Sequence, residues 1–425
     1  MSPSTSLPQQ RLSLDHEALV HCWGQTENLL IIQDLDGVCM PLVKDPLQRQ
    51  VDPRYLAAVP QFEAHFFVLT NGEHIGSRGM NRIVERSLAR SDLAQAQGLY
   101  LPGLAAGGVQ WQTRYAQVSH PGVSPEIMAF LDQVPAKIEA RLRSFFDQSR
   151  SDIAPAQLEA CIQAAILDNK VSPTANLNVF HAALGDRLEI YRSLQEQMGD
   201  LMADLLQQAA NQGLAETFFV HYAPNLGLGS DGNEMMQLAD GSTSGTTDFQ
   251  FMLRGARKEV GVLFLLNQYY AWQTGDYPLG SDFHVLDAPQ DPGEILQMIQ
   301  AHFPGHSMPL MVGVGDTVTS QVHREGDQRQ VRRGGSDRGF LQLIQDIGRA
   351  YGTGNFTVYV DSSGGEVKNR KPLKLSAAGD AVLEGPTDPQ DTQDPLTLNV
   401  AIPGGHQQYV QIFQSAAQLR QKHSD

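Results

Sequence analysis

Residues 29–38, Leu-Leu-Ile-Ile-Gln-Asp-Leu-Asp-Gly-Val, constrain this chain more than any other stretch. Four successive aliphatic side chains read as a strand buried on both faces, the habit of a parallel sheet held between helical layers. The run ends in Asp34 and Asp36, one residue apart, and then in Gly37, which lets the backbone turn sharply. Open parallel sheets collect their ligands at the carboxyl ends of their strands. On an extended backbone, residues i and i+2 point the same way, so both acids are expected to face one pocket. Two close carboxylates repel unless a cation or a shared proton relieves them, and a hard cation such as Mg²⁺ is the simplest companion. A strand that merely runs into an Asx-rich turn would look similar, so the other strand ends decide.

Several of them repeat the pattern. The run Phe66, Phe67, Val68, Leu69 ends in Thr70, Asn71 and Gly72, and a helix is expected within residues 76–88. Residues 309–316 give another strand, finishing in Gly315 and Asp316. A polar insertion, residues 317–333, follows before Asp337 and a helical face of Phe340, Leu341, Ile344 and Ile347. Residues 356–361 make a further strand, and residues 409–421 a closing helix. Lys258 opens an apolar helix over 259–270. The helix dipole favours anions at that end, so a lysine there implies an electrostatic task beyond helix stability.

The middle of the chain has a different texture. Helices are expected at 126–146, 155–167 and 187–212; in the last, Tyr191, Leu194, Met198, Leu201 and Leu205 form one apolar stripe too short for a coiled coil and suited to packing within its own domain. A strand at 218–222 follows, and the strand at 248–253 is read as the return to the first domain. The expected organisation is therefore a lead at 1–13 without order, an α/β core of doubly wound type from 14–117 and 247–425, and an inserted, largely helical α+β domain at 118–246.

Two sizeable cores suit 425 residues. A net charge of −16 argues against a nucleic-acid or anionic-membrane surface, both of which need clustered Lys and Arg. Cys22, Cys39 and Cys161 cannot all pair and lack metal-ligand spacing, which favours a reducing compartment. With every apolar run short of the ~20 residues that span a bilayer, and no secretory leader in the polar first 13 residues, a soluble cytoplasmic protein is expected.

The ordered set Asp34 and Asp36, Thr70, Lys258, then Asp316 with Asp337 resembles the haloacid dehalogenase superfamily of phosphotransferases. Its motifs are Asp-x-Asp, a Thr or Ser at a strand end, a Lys at a helix start, and a Gly-Asp or paired-acid motif. The resemblance implies a Rossmann-like core, with the insertion as a cap domain of the family's larger type. It also implies Mg²⁺ held by Asp34, Asp316, Asp337 and Asp36, the last usually through its backbone carbonyl. The long insertion between Asp316 and Asp337 departs from the family pattern. Within the superfamily, residues 33–39, 69–74, 313–317 and 333–338 resemble the glucosylglycerol-phosphate phosphatase family of cyanobacteria, which implies a sugar-phosphate substrate, a role in compatible-solute synthesis under salt stress, and a functional link to the glucosylglycerol-phosphate synthase. Phosphatases of sucrose phosphate or trehalose phosphate, and a non-catalytic sugar-phosphate sensor, are the alternatives.

The residue types themselves support phosphoryl transfer. A carboxylate can attack phosphorus, the role given to Asp34. A neighbouring carboxyl can protonate the leaving alkoxide and then activate water, the role given to Asp36. Lys258 and the Thr70 hydroxyl can meet charge on the equatorial oxygens. Sugar discrimination needs polar groups, and the candidates are Asn71, Glu73 and His74 beside Thr70, Asn176 and Asn178, and Tyr222 and Asn225. His120, His221 and His406 have no ligand spacing and are expected to pack or lie at the surface. Arg329, Arg332 and Arg333 are expected in a solvated hairpin.

Overall fold

A computed structural model describes residues 6–149, 151–229, 232–241, 243–325, 328–367 and 370–424. Its centre is a sheet of eight strands in the order Val400–Ile402, Phe356–Val360, Leu310–Gly315, Leu29–Gln33, Phe66–Leu69, Gly103–Ala105, Gln110–Gln112 and Val118–Ser119. The first six run parallel; Gln110–Gln112 is antiparallel to its neighbour Gly103–Ala105, and Val118–Ser119 is antiparallel to Gln110–Gln112 in turn. Leu29–Gln33 is buried along its whole length. Leu30 and Ile32 join the core that holds Lys258–Thr274 and Arg338–Tyr351, whereas Leu29 and Ile31 join the core that holds His16–Gln25 and Gly405–Ser424. That division at period two is why Leu29, Leu30, Ile31 and Ile32 are all aliphatic, each side chain contributing roughly 1.5–3 kcal/mol on burial.

The parallel register sets the site. Gln33 is level with Val314 on one side and with Val68 on the other. The chain therefore leaves three adjacent strands at one edge, near Asp34, Thr70 and Asp316. Helix Lys258–Thr274 packs so closely under them that a Cβ on Gly261 would lie 2.5 Å from Leu69 Cδ1.

Between Val118–Ser119 and Lys258 the chain builds a second unit. Four antiparallel strands lie in the order Ile166–Leu167, Thr174–Asn176, Asp248–Leu253 and Phe218–Ala223. Helices Pro125–Leu131, Val134–Gln148, Pro155–Ala165, Asn178–Leu184 and Leu188–Asn211 accompany them. The stripe from Tyr191 to Leu205 is buried within this unit, as its short length implied. The helix expected over 126–146 is broken at Asp132–Gln133. Pro135 lacks an N–H and sits in the first turn of the second helix, where none is needed.

Two expectations change. Asp248–Leu253 does not rejoin the central sheet; it pairs along six residues with Phe218–Ala223 in the second one. The reason lies in its alternation: Phe249 and Phe251 are buried in the core, while Asp248 and Gln250 face the other way, a half-covered antiparallel strand rather than a central parallel one. The lead is also ordered where it is described. Leu7 is buried, Leu12 N–H donates to Leu398 O and Ser13 pairs with Val400, so residues 6–13 cover the sheet edge; residues 1–5 of that segment lie outside the described residues. Among the described residues, no helix is long and apolar enough to cross a membrane.

Candidate active site

The polar insertion after Asp316 is a β-hairpin, Thr319–Glu325 paired with Gln328–Gly334. Because Thr319 is opposite Gly334, the hairpin begins and ends at the same place, and it returns the chain to the strand end it left. Asp337 N–H donates to Thr317 O at 3.1 Å, and Asp337 Oδ2 accepts from the Asp316 and Thr317 amides, each at 2.9 Å. The departure in spacing thus leaves the two acids adjacent. Arg333 at the hairpin's base pairs with Asp391 at 2.7 Å, which fixes it to a neighbouring loop rather than leaving it solvated.

Lys258 Nζ joins the acids. It lies 2.7 Å from Asp337 Oδ1 and 3.0 Å from Asp34 Oδ2, and all three groups are buried. Burial opposes the lysine's charge, but Asp337 and Asp34 more than offset it and hold its pKa above the ordinary value. Burial pushes the Asp34 carboxyl well up, against the pull of Lys258 and with the repulsion of Asp337 and Asp316 added. Asp316 is raised by burial as well, against the pull of Arg370. Carboxylate oxygens of Asp34, Asp316 and Asp337 lie within 4.8 Å of one another. Three buried acids with hard oxygen donors, under-compensated by nearby cations, fit a divalent ion of the Mg²⁺ type.

Asp36 does not join that set. Its carboxylate pairs instead with Arg49 Nε at 3.0 Å. The extended geometry ends one residue early, because Gly37 turns with φ +80°. The turn brings Gly37 so close to Asp316 that a Cβ would lie 2.2 Å from Asp316 Oδ2. Thr70 is held by N–H donation to Leu104 O, and its Oγ1 accepts from Gly72 N–H at 3.2 Å.

A cavity opens over these strand ends and is closed from above by the second unit. Its walls include Asp34, Asp36, Thr70, Asn71, Lys258 and Asp316 from below, Arg49, Arg78 and Arg370 at the sides, and Thr174, Asn176, Asn178, Asp248 and Gln250 above. Asn176 and Asn178 thus line the cavity. Asn71 also lines the cavity, and its amide lies 3.0 Å from His221 Nε2; His221 Nδ1 in turn lies 2.8 Å from Glu234. Thus His221 links the two units instead of merely filling space.

The other sugar-binding candidates have different occupations. Glu73 borders the cavity, yet its carboxylate accepts from Lys170, Val171 and Ser172 N–H at 2.9, 2.7 and 2.8 Å, so it anchors the second unit. His74 turns into the core: it is fully buried, its Nε2 lies 3.1 Å from Gly103 O, and burial lowers its pKa to about 4. Tyr222 packs edge-on against Phe249. Asn225 donates to Tyr222 O and Glu234 and lines adjoining clefts, not this cavity. Polar residues just past a strand end alternate between pocket and interior, and spacing alone did not separate them.

Sequence reasoning missed Arg49, Arg78, Arg370, Asp248 and Gln250. The three arginines lie outside the strand-end motifs and carry no pattern. The two strand residues did carry one, in the polar-apolar alternation from Asp248 to Phe251.

A family model described as glucosylglycerol-phosphate phosphatase matches residues 28–417. A glucosylglycerol-phosphate phosphatase from Synechocystis sp. is 55% identical over 419 residues, covering 98% of this chain and 99% of that protein. Among solved structures, the C-terminal domain of C. albicans trehalose-6-phosphate phosphatase is 10% identical with a TM-score of 0.44, covering 96% of this chain and 98% of that one. A trehalose-6-phosphate phosphatase related protein is 11% identical with a TM-score of 0.43, over 93% and 99%. With its parallel α/β sheet and its acid cluster at the strand ends, the chain is a phosphatase, a hydrolase of phosphoric monoesters. It belongs to the glucosylglycerol-phosphate phosphatase family.

Proposed function

We propose that this chain is a Mg²⁺-dependent phosphatase of the haloacid dehalogenase type that hydrolyses glucosylglycerol 3-phosphate to glucosylglycerol and phosphate. The observation that carries the mechanism is the buried array of Asp34, Lys258, Asp316 and Asp337 at adjoining strand ends. The substrate is supported by the 55% identical relative of that name.

In this reading Asp34 attacks phosphorus, the ester P–O bond breaks, and an aspartyl-phosphate forms. Asp36 gives its proton to the departing glycerol oxygen, and later takes one from the water that cleaves the intermediate. Arg49, paired with Asp36, orients that carboxyl. Lys258 and the Thr70 hydroxyl meet the charge on the phosphoryl oxygens. Asp34 and Asp316, with Asp337 and the Asp36 carbonyl, would hold Mg²⁺, whose chemistry is to offset the clustered negative charge and orient the phosphoryl group. The unit spanning 118–246, extended to Leu253 by the strand pairing, serves as the cap. We place the reaction in the cytoplasm, downstream of the glucosylglycerol-phosphate synthase, as the last step to a compatible solute in salt tolerance.

The test is phosphate release by the purified chain from glucosylglycerol 3-phosphate, sucrose 6-phosphate and trehalose 6-phosphate, each with Mg²⁺ and with EDTA. Expected is activity only with Mg²⁺, and a kcat/KM for glucosylglycerol 3-phosphate at least ~100-fold above the others, the discrimination open to a site that hydrogen-bonds hydroxyls. Equal rates on the three esters overturn the substrate; full activity after exhaustive chelation overturns the metal.

A further inference from the structure

The second sheet has an apolar face and a polar one, and the polar one is half-buried or buried where it meets the cavity. Ala175, Phe249 and Phe251 point into the core of that unit. The alternate residues form two cross-strand rows: Asn176, Asp248 and Ala223 in one, Thr174, Gln250 and His221 in the other. An antiparallel sheet usually turns such a face to solvent. Here Thr174, Asn176 and His221 are 2%, 4% and 7% exposed, Asp248 and Gln250 are half-buried, and all of these but His221 line the cavity above Asp34. Buried polar groups persist when they have partners, so the state of each side chain is informative.

Asp248 Oδ1 accepts from Asn176 Nδ2 at 2.8 Å and Oδ2 from Thr247 Oγ1 at 3.0 Å. Each oxygen keeps a second lone pair. Two residues along the same strand, on the same face, Gln250 Oε1 is buried without a hydrogen-bond partner. An orphaned acceptor beside a braced carboxylate, both lining a cavity, is an arrangement that a hydroxyl-rich ligand completes. A neutral sugar offers what is missing: several adjacent O–H donors in fixed geometry.

Resting on the reading that the substrate is a glycosyl phosphate ester, we propose that Asp248 and Gln250 are specificity-determining residues which bind the glycosyl hydroxyls, with Asn176 and Thr247 holding Asp248 in place. The phosphoryl group sits at the strand ends below, and the glycosyl group rises to the polar rows above. Asp248 accepts from two neighbouring hydroxyls, and Gln250 takes a third through Oε1.

The experiment compares kcat/KM for glucosylglycerol 3-phosphate with that for p-nitrophenyl phosphate, which has no glycosyl group, in wild type, Asp248→Asn and Gln250→Leu. Calorimetry with glucosylglycerol itself reads sugar binding without phosphate. The ratio of the two kcat/KM values should fall about ten- to a hundredfold in each variant, the size of a lost hydrogen bond to a buried group, and glucosylglycerol affinity should fall in parallel. A ratio within twofold of wild type in both variants overturns the proposal. Should Asp248→Asn fold poorly, the ratio in Gln250→Leu decides. Wild-type protein that cleaves p-nitrophenyl phosphate but not glucosylglycerol 3-phosphate overturns the substrate reading instead, a result visible before any variant is made.

Discussion

Replacing Lys258 by methionine separates its structural task as a counter-ion from the catalytic one proposed for it. Methionine keeps an unbranched apolar stem but removes the charge that lies 3.0 Å from Asp34 and 2.7 Å from Asp337, all in a buried setting. Removing one partner of a buried ion pair costs about 3–5 kcal/mol, because the other charge is left uncompensated. Asp337 would still accept two backbone N–H bonds, so a loss near the lower end, about 3 kcal/mol, is expected. Urea unfolding in EDTA reads that loss free of any metal contribution. A cycle with Asp337→Asn and the double variant should give a coupling of roughly 1–3 kcal/mol, as for residues in direct contact. Turnover should fall on its own account by about 10²–10³, the usual cost of one electrostatic contact to a transition state. An unchanged urea midpoint with a coupling inside about 0.5 kcal/mol would refute the assignment of Lys258 as counter-ion to these acids.

Other perturbations test the neighbouring claims. Gly37→Ala forces a Cβ toward Asp316 at a φ of +80°, so the Mg²⁺ concentration for half-maximal activity should rise; an unaltered Mg²⁺ titration contradicts the close approach. Glu73→Gln weakens three backbone bonds to residues 170–172 and should cost about 1.5–3 kcal/mol, seen as faster limited proteolysis of that segment; unchanged proteolysis contradicts the anchor. His221 and Glu234 give a pH dependence. Burial lowers the His221 pKa but Glu234 raises it more, to a net value above 6.5, so its stabilisation is complete below 6.5 and lost as pH rises through the folded value. Burial raises the Glu234 pKa but His221 lowers it more, to a net value below 4.5, so its share is present above 4.5 and lost as pH falls through the folded value. His221→Gln should therefore cost most stability between pH 4.5 and 6.5 and less at pH 9; a loss that does not vary with pH contradicts the pairing.

The central sheet was legible because its strands are buried on both faces and so leave short, mostly apolar runs rich in β-branched and aromatic residues, as in residues 29–32 and Phe356–Val360. The residues ending those runs, Asp34, Thr70 and Asp316, were legible for the same reason, since a parallel register brings strand ends to one edge. Asp337 was harder to place, as a hairpin's closure depends on pairing that a polar stretch does not advertise. The Asp248–Leu253 strand is apolar enough to resemble a return to the central sheet, and only its polar-apolar alternation from Asp248 to Phe251 marks it as part of the second one. Side-chain direction within the turn after Thr70 was not legible: Asn71 reaches the cavity and His74 the core, a difference set by long-range partners such as His221 and Gly103.

The aspartyl-phosphate is tested most directly by a rapid acid quench during one turnover of glucosylglycerol 3-phosphate labelled with ³²P, followed by peptide mapping. Expected is a hydroxylamine-labile label that forms and decays within the turnover, carried by the peptide containing Asp34 and absent from Asp34→Asn. Label on a peptide without Asp34, or full turnover by Asp34→Asn, would contradict it.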